Sequence, residues 1–357
     1  TNGDWNVPQL VTVTGEDDAE PDGHRAYTII TGVVSSADTD YDGIDPVDVS
    51  VINEDDEDFE YAALEAFYNS TNGPGWYDNS NWLVGDPCEN NWTGVSCDQS
   101  GRVVEIGMWG NGLVGALPAE LGNLADLQTL ALPYNDLNGG IPADLANLAN
   151  LRRLDLSRND LGGEIPIELS TLSGLRELSL RGNQLTGAFA DTIVGLRNLI
   201  ELDLSSNLFE GSLPAELGQM PAIEQLTLGS NQFNGSIPES WSGMAKLTRL
   251  ALDYNQLDGP IAPWLGSLSN LSSLNLSGNL FDGTIPIELA NLTQLRYLYL
   301  SGNQLTGTIP AEIGSLANLR DLSFGDNQLA GEIPPELAEL INLRSLQLAR
   351  NNLTGTL

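Results

Sequence analysis

Clusters of acidic side chains near the start of the chain are the first groups that could do chemistry. They occur at Glu16-Asp17-Asp18, Asp38-Thr39-Asp40 and Glu54-Asp55-Asp56-Glu57-Asp58. Carboxylate oxygens on loops are the hard ligands that calcium selects. Ca²⁺ is therefore the one candidate cofactor, and its candidate ligands are Asp17, Asp18, Asp38, Asp40, Asp55 and Asp56. The alternative is a set of solvated acidic turns, since the clusters lack the spacing of an EF-hand loop.

The side chains that catalysis needs do not occur in a recognisable arrangement. The single histidine, His24, follows an acidic stretch, and the chain has no G-x-S-x-G, P-loop or H-E-x-x-H motif. Carboxylates are abundant but scattered. Their separation decides whether two of them can act as an acid and a base, and a sequence does not reveal it. We predict that the chain is not an enzyme.

Two cysteines, Cys88 and Cys97, are the remaining reactive groups. Two thiols can form a disulfide, a metal pair or a redox pair. The chain contains no C-x-x-C motif and no further cluster of Cys or His, which disfavours the metal and redox alternatives.

The formal net charge of −35 restricts the partners of the chain. A surface this acidic repels nucleic acids and anionic lipids. No stretch approaches the 18 or so consecutive apolar residues that cross a bilayer. We therefore expect no nucleic acid partner and no membrane insertion within this segment. An extracellular or cell-surface location fits, because salt there screens the self-repulsion.

Asparagine recurs at a fixed spacing of 24 residues over most of the chain. The positions are Asn111, Asn135, Asn159, Asn183, Asn207, Asn231, Asn255, Asn279, Asn303, Asn327 and Asn351. A glycine follows four residues after each of them. Eleven turns without an insertion or deletion predict a solenoid, in which each repeat buries its apolar face only against its neighbours.

Each repeat follows the pattern LxxLxLxxNxLxGxIPxxLxxLxx. In Leu178-Ser179-Leu180 the apolar residues alternate as in a short half-buried strand, and Ala311–Leu316 suits a helical turn. A short amide after the strand can satisfy backbone groups at the bend. The pattern resembles the plant-type leucine-rich repeat. The predicted fold is therefore an α/β solenoid with a parallel sheet on its concave face, short second strands, and 3₁₀ or helical turns on its convex side.

Residues 58–102 are similar to the N-terminal cap of the same family. The motifs are Asn81-Trp82-Leu83, the stretch from Cys88 to Cys97 with Trp92 and Gly94-Val95 inside it, and Gly101-Arg102-Val103. The resemblance implies a helical segment that closes the apolar end of the stack, and a disulfide between Cys88 and Cys97. A disulfide in turn implies an oxidising location outside the cytoplasm. Residues 103–357 then form eleven repeats, of which the last is incomplete.

Residues 1–57 resemble the closing half of a Calx-β-like module of bacterial surface proteins. Three β-rich runs, at residues 9–14, 26–31 and 47–52, are separated by acidic turns. Half of a β-sandwich cannot close its own core. The first residue is Thr1, and Leu357 comes one residue before an expected Pro. We therefore expect a piece of a longer protein, whose open apolar end could associate with a second copy.

The outward positions of each strand lie six, four and two residues before the asparagine, and together they tile the concave sheet. Two patches near these positions carry large or charged side chains, which are candidate ligand-binding residues: Arg153, Arg158, Arg176, Arg181 and Asp203 in one, and Asp253, Tyr254, Tyr297 and Tyr299 in the other. Exposed tyrosines suit sugars or protein side chains, and arginines suit anionic groups. The alternative is that the arginines and neighbouring acids neutralise one another. Trp109 and Tyr134 are expected to pack against the cap.

These observations favour a non-catalytic binding or adhesion module of a secreted or cell-surface bacterial protein. Its partner would be a protein or a glycan held on the concave sheet. The alternative is a structural spacer or a self-assembling filament subunit, stiffened by calcium.

Overall fold

The computed structural model describes residues 25–29, 49–53 and 59–355. The chain divides into two compact units, Thr1–Phe59 and Glu60–Leu357. The six candidate calcium ligands, His24 and the first predicted β-rich run lie outside the described residues. Within the described part, no helix combines the length and the apolarity needed to cross a bilayer.

The first unit contains one described antiparallel strand pair. Strand Arg25–Ile29 pairs with strand Val49–Asn53, with Tyr27 opposite Val51. These two strands overlap the second and third predicted β-rich runs.

The second unit is built around a twelve-stranded sheet, which we call the inner sheet. Val95–Cys97 pairs antiparallel with Val103–Gly107, and every later strand is added in parallel, one from each repeat. The later strands are Thr129–Ala131, Arg153–Asp155, Glu177–Ser179, Glu201–Asp203, Gln225–Thr227, Arg249–Ala251, Ser273–Asn275, Tyr297–Tyr299, Asp321–Ser323 and Ser345–Gln347. Equivalent residues pair without a shift, as Leu178 does with Leu154 and Leu202. The predicted spacing of 24 residues therefore sets the register of the sheet.

A second short strand follows the asparagine in most repeats. These strands are Val114–Ala116, Asp136–Gly139, Asp160–Gly163, Gln184–Leu185, Glu210–Ser212, Gln232–Gly235, Gln256–Pro260, Leu280–Asp282, Ala330–Glu332 and Asn352–Thr354. The glycine of this segment has a positive φ, for example 80° at Gly163, which a residue with a Cβ adopts only with strain. The short second strands are thus confirmed.

A helical turn on the opposite side of each complete repeat returns the chain to the sheet. Nine such turns are 3₁₀ helices: Ala119–Asn123, Ala143–Asn147, Ile167–Thr171, Ala215–Gln219, Glu239–Gly243, Pro263–Ser267, Ile287–Asn291, Ala311–Ser315 and Pro335–Glu339. The repeat in which Ala190 stands in place of proline forms an α-helix instead, Ala190–Gly195. The predicted solenoid architecture is confirmed.

The asparagine side chains join consecutive turns through buried hydrogen bonds. The Nδ2 group of Asn183 donates to the carbonyl oxygens of Leu180 in its own repeat and Leu156 in the preceding one, both at 3.0 Å. Its Oδ1 accepts from the backbone N–H of Leu161, also at 3.0 Å. Both bonds to the preceding repeat recur for Asn207 and in the later repeats. Each amide therefore satisfies three buried backbone groups at the bend.

The cap covers the N-terminal end of the repeat stack. Its helix, Phe59–Ser70, is followed by a 3₁₀ turn, Gly73–Gly75, and buries Ala63, Leu64 and Phe67. The rings of Trp76 and Trp82 lie 4.8 Å apart, and those of Trp82 and Trp92 5.0 Å apart. All three indole N–H groups donate to backbone carbonyls. Cys88 and Cys97 form the expected disulfide, with their Cα atoms 5.7 Å apart.

The asparagine bridges should dominate the stability of the array. We expect Asn207→Ala to lower the free energy of unfolding by about 3 kcal/mol or more, because the backbone groups it satisfies would stay buried without partners. Urea denaturation followed by circular dichroism measures this change. The matched control is Asn198→Ala, which removes one exposed amide bond to Ser173 and should cost less than about 1 kcal/mol. Equal losses in the two variants would contradict the account.

Candidate functional site

The outward face of the inner sheet is a regular surface that extends over all twelve strands. In the strand Glu177–Ser179 the central leucine, Leu178, is buried, whereas its neighbours Glu177 and Ser179 lie on the accessible face. Because the strands pair without a register shift, these outward residues form continuous columns across the repeats. Any ligand of the sheet meets these columns.

Arg153 lies within a cluster of carboxylates on this face. Its guanidinium is 3.1 Å from the carboxylate of Asp155 and 3.3 Å from that of Glu177. Burial raises the pKa of Glu201 in the neighbouring strand, and the charges of Glu177 and Asp203 raise it further. The charge of Arg153 is thus neutralised by its neighbours. For this arginine the structure agrees with the alternative interpretation, in which arginines and neighbouring acids compensate one another.

Asp203 and Asp253 are held on the same face by local contacts. Asp203 Oδ1 accepts from the backbone N–H and the hydroxyl of Ser205. Burial raises the pKa of Asp253, and the charges of Arg249 and Arg181 oppose that rise. A Cβ on Gly229 would stand 2.7 Å from the Asp253 carboxylate. The absence of a side chain at Gly229 therefore leaves the space that this carboxylate occupies.

The four arginines of the first predicted patch do not gather at one place. Arg153 pairs with acids on the face, and the guanidinium carbon of Arg158 lies 4.8 Å from the ring centroid of Tyr134. Arg176 lines a groove at the opposite edge, where the strands begin. Arg181 is exposed and forms no ion pair within 4.0 Å in the described part of the chain. Residues one and seven before the asparagine lie beyond the two ends of the strand, so Arg176 stands at the opposite edge, whereas the backbones of Arg158 and Arg181 are joined by a hydrogen bond.

Trp109 and Tyr134 form an exposed aromatic pair. Their ring centroids are 5.2 Å apart, and the side chains are 68% and 48% exposed. The expectation that they pack against the cap is wrong. Trp109 occupies an outward position, and Tyr134 has a positive φ of 59°, at the bend beyond the strand end. With Arg158 they make a ladder over three repeats, which we call the aromatic ladder.

Tyr297 and Tyr299 form a second aromatic cluster. Their rings are stacked at a centroid distance of 6.3 Å. The hydroxyl of Tyr299 donates to Asp321 Oδ2 at 2.9 Å, and burial together with this bond raises the pKa of Tyr299 to about 12. Tyr254 lies apart, 65% exposed at the end of its strand, with its ring over Gly278. The structure thus brings Tyr297 and Tyr299 together and leaves Tyr254 outside their contact.

The arrangement is suited to recognition. No group of three or more His, Cys, Asp or Glu side chains that could hold a metal ion occurs within the residues that the structure describes. The sheet instead offers rings, paired charges and hydroxyls on a regular backbone. Such groups can bind a ligand by packing and hydrogen bonds.

Two family models match the repeats. A model described as a leucine-rich repeat region matches residues 107–282, and a model described as a leucine-rich repeat matches residues 294–316 and 318–340. A probable leucine-rich repeat receptor-like protein kinase of Arabidopsis thaliana is 38% identical over 77 residues, which are 21% of this chain and 8% of the kinase.

Solved structures of plant proteins share the fold. The Arabidopsis receptor kinase HAESA, in complex with the peptide hormone IDA and the co-receptor SERK1, is 32% identical with a TM-score of 0.77. That match covers 83% of this chain and 50% of the HAESA chain, so this chain spans about half of that relative. A plant ice-binding protein is 26% identical with a TM-score of 0.69, over 84% of this chain and 99% of that one.

The tyrosine cluster makes a pH-dependent prediction. Because the pKa of Tyr299 is raised from 10.0 to about 12, its neutral form stabilises the fold below about pH 10, and this contribution is lost as the pH rises towards 12. NMR titration of the Tyr299 Cζ carbon measures the pKa. We expect Asp321→Asn to lower it, since the accepting charge is removed, and the control Asp326→Asn to leave it unchanged. An ordinary pKa near 10 in the unmodified protein would contradict the geometry.

Proposed function

The chain carries a leucine-rich repeat domain, whose family models match between residues 107 and 340, and we propose that this domain is a non-catalytic module that binds a protein or peptide on its inner sheet. The observation that carries the proposal is the aromatic ladder of Trp109, Tyr134 and Arg158. Trp, Tyr and Arg are the residue types most enriched at the energetic centres of protein interfaces.

The exposure of the ladder supports this role. Leaving a tryptophan 68% exposed forgoes the stabilisation that its burial would provide. The ring of Trp109 contacts that of Tyr134, over which the Arg158 guanidinium lies. A partner that covers the ladder would bury rings whose orientation is already restricted by mutual contact. The loss of side-chain entropy on binding is then small.

The tyrosine cluster is proposed as a second anchor. Tyr297 lies eight repeats from Trp109, which at about 4.8 Å for each stacked strand is roughly 38 Å. An extended peptide of about eleven residues spans that distance. Asp203, Asp253 and Arg181 lie between the two anchors and can bind polar groups of the peptide. Tyr254 stands at the edge of the same path.

The relatives support a peptide more than a glycan. HAESA is described in complex with a peptide hormone and a co-receptor, and the match covers most of this chain. We propose the same class of ligand here, and an extracellular location in keeping with the Cys88–Cys97 disulfide. A glycan bound to the exposed rings is the competing proposal. Neither the peptide nor the glycan proposal depends on a bacterial origin of the chain.

A peptide selection tests the proposal. Binders selected from a random 12-residue phage library against the purified chain should lose about 2 kcal/mol or more of affinity, roughly 30-fold, when Trp109→Ala and Tyr134→Ala are combined. Tyr297→Ala with Tyr299→Ala should also weaken those selected peptides that span both anchors. Affinities are measured by surface plasmon resonance.

The matched control removes an exposed apolar side chain elsewhere. Ile287, 56% exposed on the helical-turn side, should tolerate Ile287→Ala without loss of affinity. Selected peptides that bind the ladder variant as tightly as the unmodified chain would contradict the proposal. So would a glycan array that yields tight, ladder-dependent ligands while the peptide library yields none.

A further inference from the structure

A second ladder of asparagines runs along the edge where the inner strands begin. Nine residues before the repeat asparagine, an exposed Asn donates its Nδ2 to the backbone carbonyl 25 residues earlier. The bonds run from Asn150 to Ala125, Asn198 to Ser173, Asn270 to Ala245, Asn318 to Thr293 and Asn342 to Ala317, at 2.8–3.0 Å. We call this the outer ladder.

The outer ladder is interrupted in the middle repeats, and a groove lies there. Gly174 and Ala222 replace asparagine on either side of Asn198, and Lys246 replaces it in the next repeat. The missing side chains leave a groove of about 410 Å³, whose lining includes Gly174, Ala222 and the half-buried Ile200. The groove therefore results from specific departures from the repeat.

Three cations surround the groove. Arg152, Arg176 and Lys246 line it together with one acid, Glu224. All three cationic side chains are exposed, and within the described ranges none of them forms an ion pair shorter than 4.0 Å. A chain with a formal net charge of −35 thus presents an excess of unpaired positive charge at this groove.

We propose that this groove binds an extended acidic peptide segment of a partner protein. Arg152 and Arg176 stand one repeat apart, about 5 Å, and Lys246 lies three repeats beyond Arg176, about 14 Å. An extended chain advances about 3.4 Å for each residue, so carboxylates two and then four residues apart match the cations on one side of the peptide. Arginine binds carboxylates through paired N–H donors.

The spacing of the cations favours a peptide over a sulfated glycan. Three cations spread over five repeats match a few separated carboxylates, whereas a densely charged polyanion would be repelled by the acidic surface around the groove. The small residues Gly174 and Ala222 leave space for a peptide backbone against the edge, and Ile200 provides an apolar contact. This site is separate from the face used in the proposed function and does not rest on it.

A designed peptide tests the proposal in the full chain. The probe is a fluorescein-labelled nine-residue peptide of glycine with aspartate at its second, fourth and eighth positions, and its control carries asparagine instead. Fluorescence anisotropy at low ionic strength measures binding. We expect Arg152→Ala with Arg176→Ala to weaken binding about tenfold, since two charge pairs are lost.

The chain supplies a matched control for charge. Arg296 and Arg320 occupy the same column as Arg152 and Arg176, and Asn318 continues the outer ladder beside them through its bond to Thr293. Arg296→Ala with Arg320→Ala removes the same net charge and should weaken binding less than about twofold. If both double variants lost the same affinity for the aspartate peptide, the loss would come from overall charge and not from the groove. That result would overturn the proposal.

A groove-filling variant tests the shape without changing the charge. A Cβ on Gly174 would lie 3.4 Å from the Leu151 carbonyl, which is ordinary contact, and its φ is not in the left-handed range. Gly174→Asn with Ala222→Asn should restore the outer ladder, preserve the melting temperature and abolish peptide binding. Unchanged binding in this variant, no binding of the aspartate peptide by the unmodified chain, or stronger binding of a heparin-derived oligosaccharide would each overturn the proposal.

Discussion

The buried asparagine amide is the interaction on which the rest of the second unit depends. After each strand the chain must turn, and the turn leaves backbone N–H and C=O groups inside the stack without sheet partners. The Asn207 side chain satisfies such groups in its own repeat and in the preceding one, through bonds of 2.9–3.1 Å. Because every bridge joins two turns, one asparagine sets the position of one repeat relative to the next, and the leucines can then pack in phase.

The regular stacking converts a position in the repeat into a position on the surface. Residues such as Glu177, Glu201 and Asp203 come close only because their strands pair without a shift. The raised pKa of Glu201 is a direct result, since burial and neighbouring like charges both oppose its ionisation. Functional variety must therefore come from the residues placed in the columns and from places where the repeat is broken. Gly229, Gly174 and Ala222 are such places.

The sequence predicted the architecture well because its period is strict. The strands and the bridging asparagines follow from positions that recur without a gap, whereas the cap and its disulfide were expected from the resemblance of residues 58–102 to the N-terminal cap of the family. The surface was less predictable, since the position of a residue in the repeat does not say how far its side chain reaches. Arg158 turns to Tyr134, and Arg176 lies at the other edge, because each stands beyond the strand end. The exposure of Trp109 could have been anticipated, since it occupies an outward position. The outer ladder was also visible as a recurring Asn nine residues before the bridge.

Native-state hydrogen exchange measured by NMR tests the central claim most directly. The backbone N–H groups of Leu161 and Leu185 lie at the bends and donate to the side chains of Asn183 and Asn207. If the asparagine bridges hold consecutive turns together, these protons exchange as slowly as those of the inner strands, through opening of the array. Exchange as fast as that of exposed loops, with the inner strands still protected, would contradict the account.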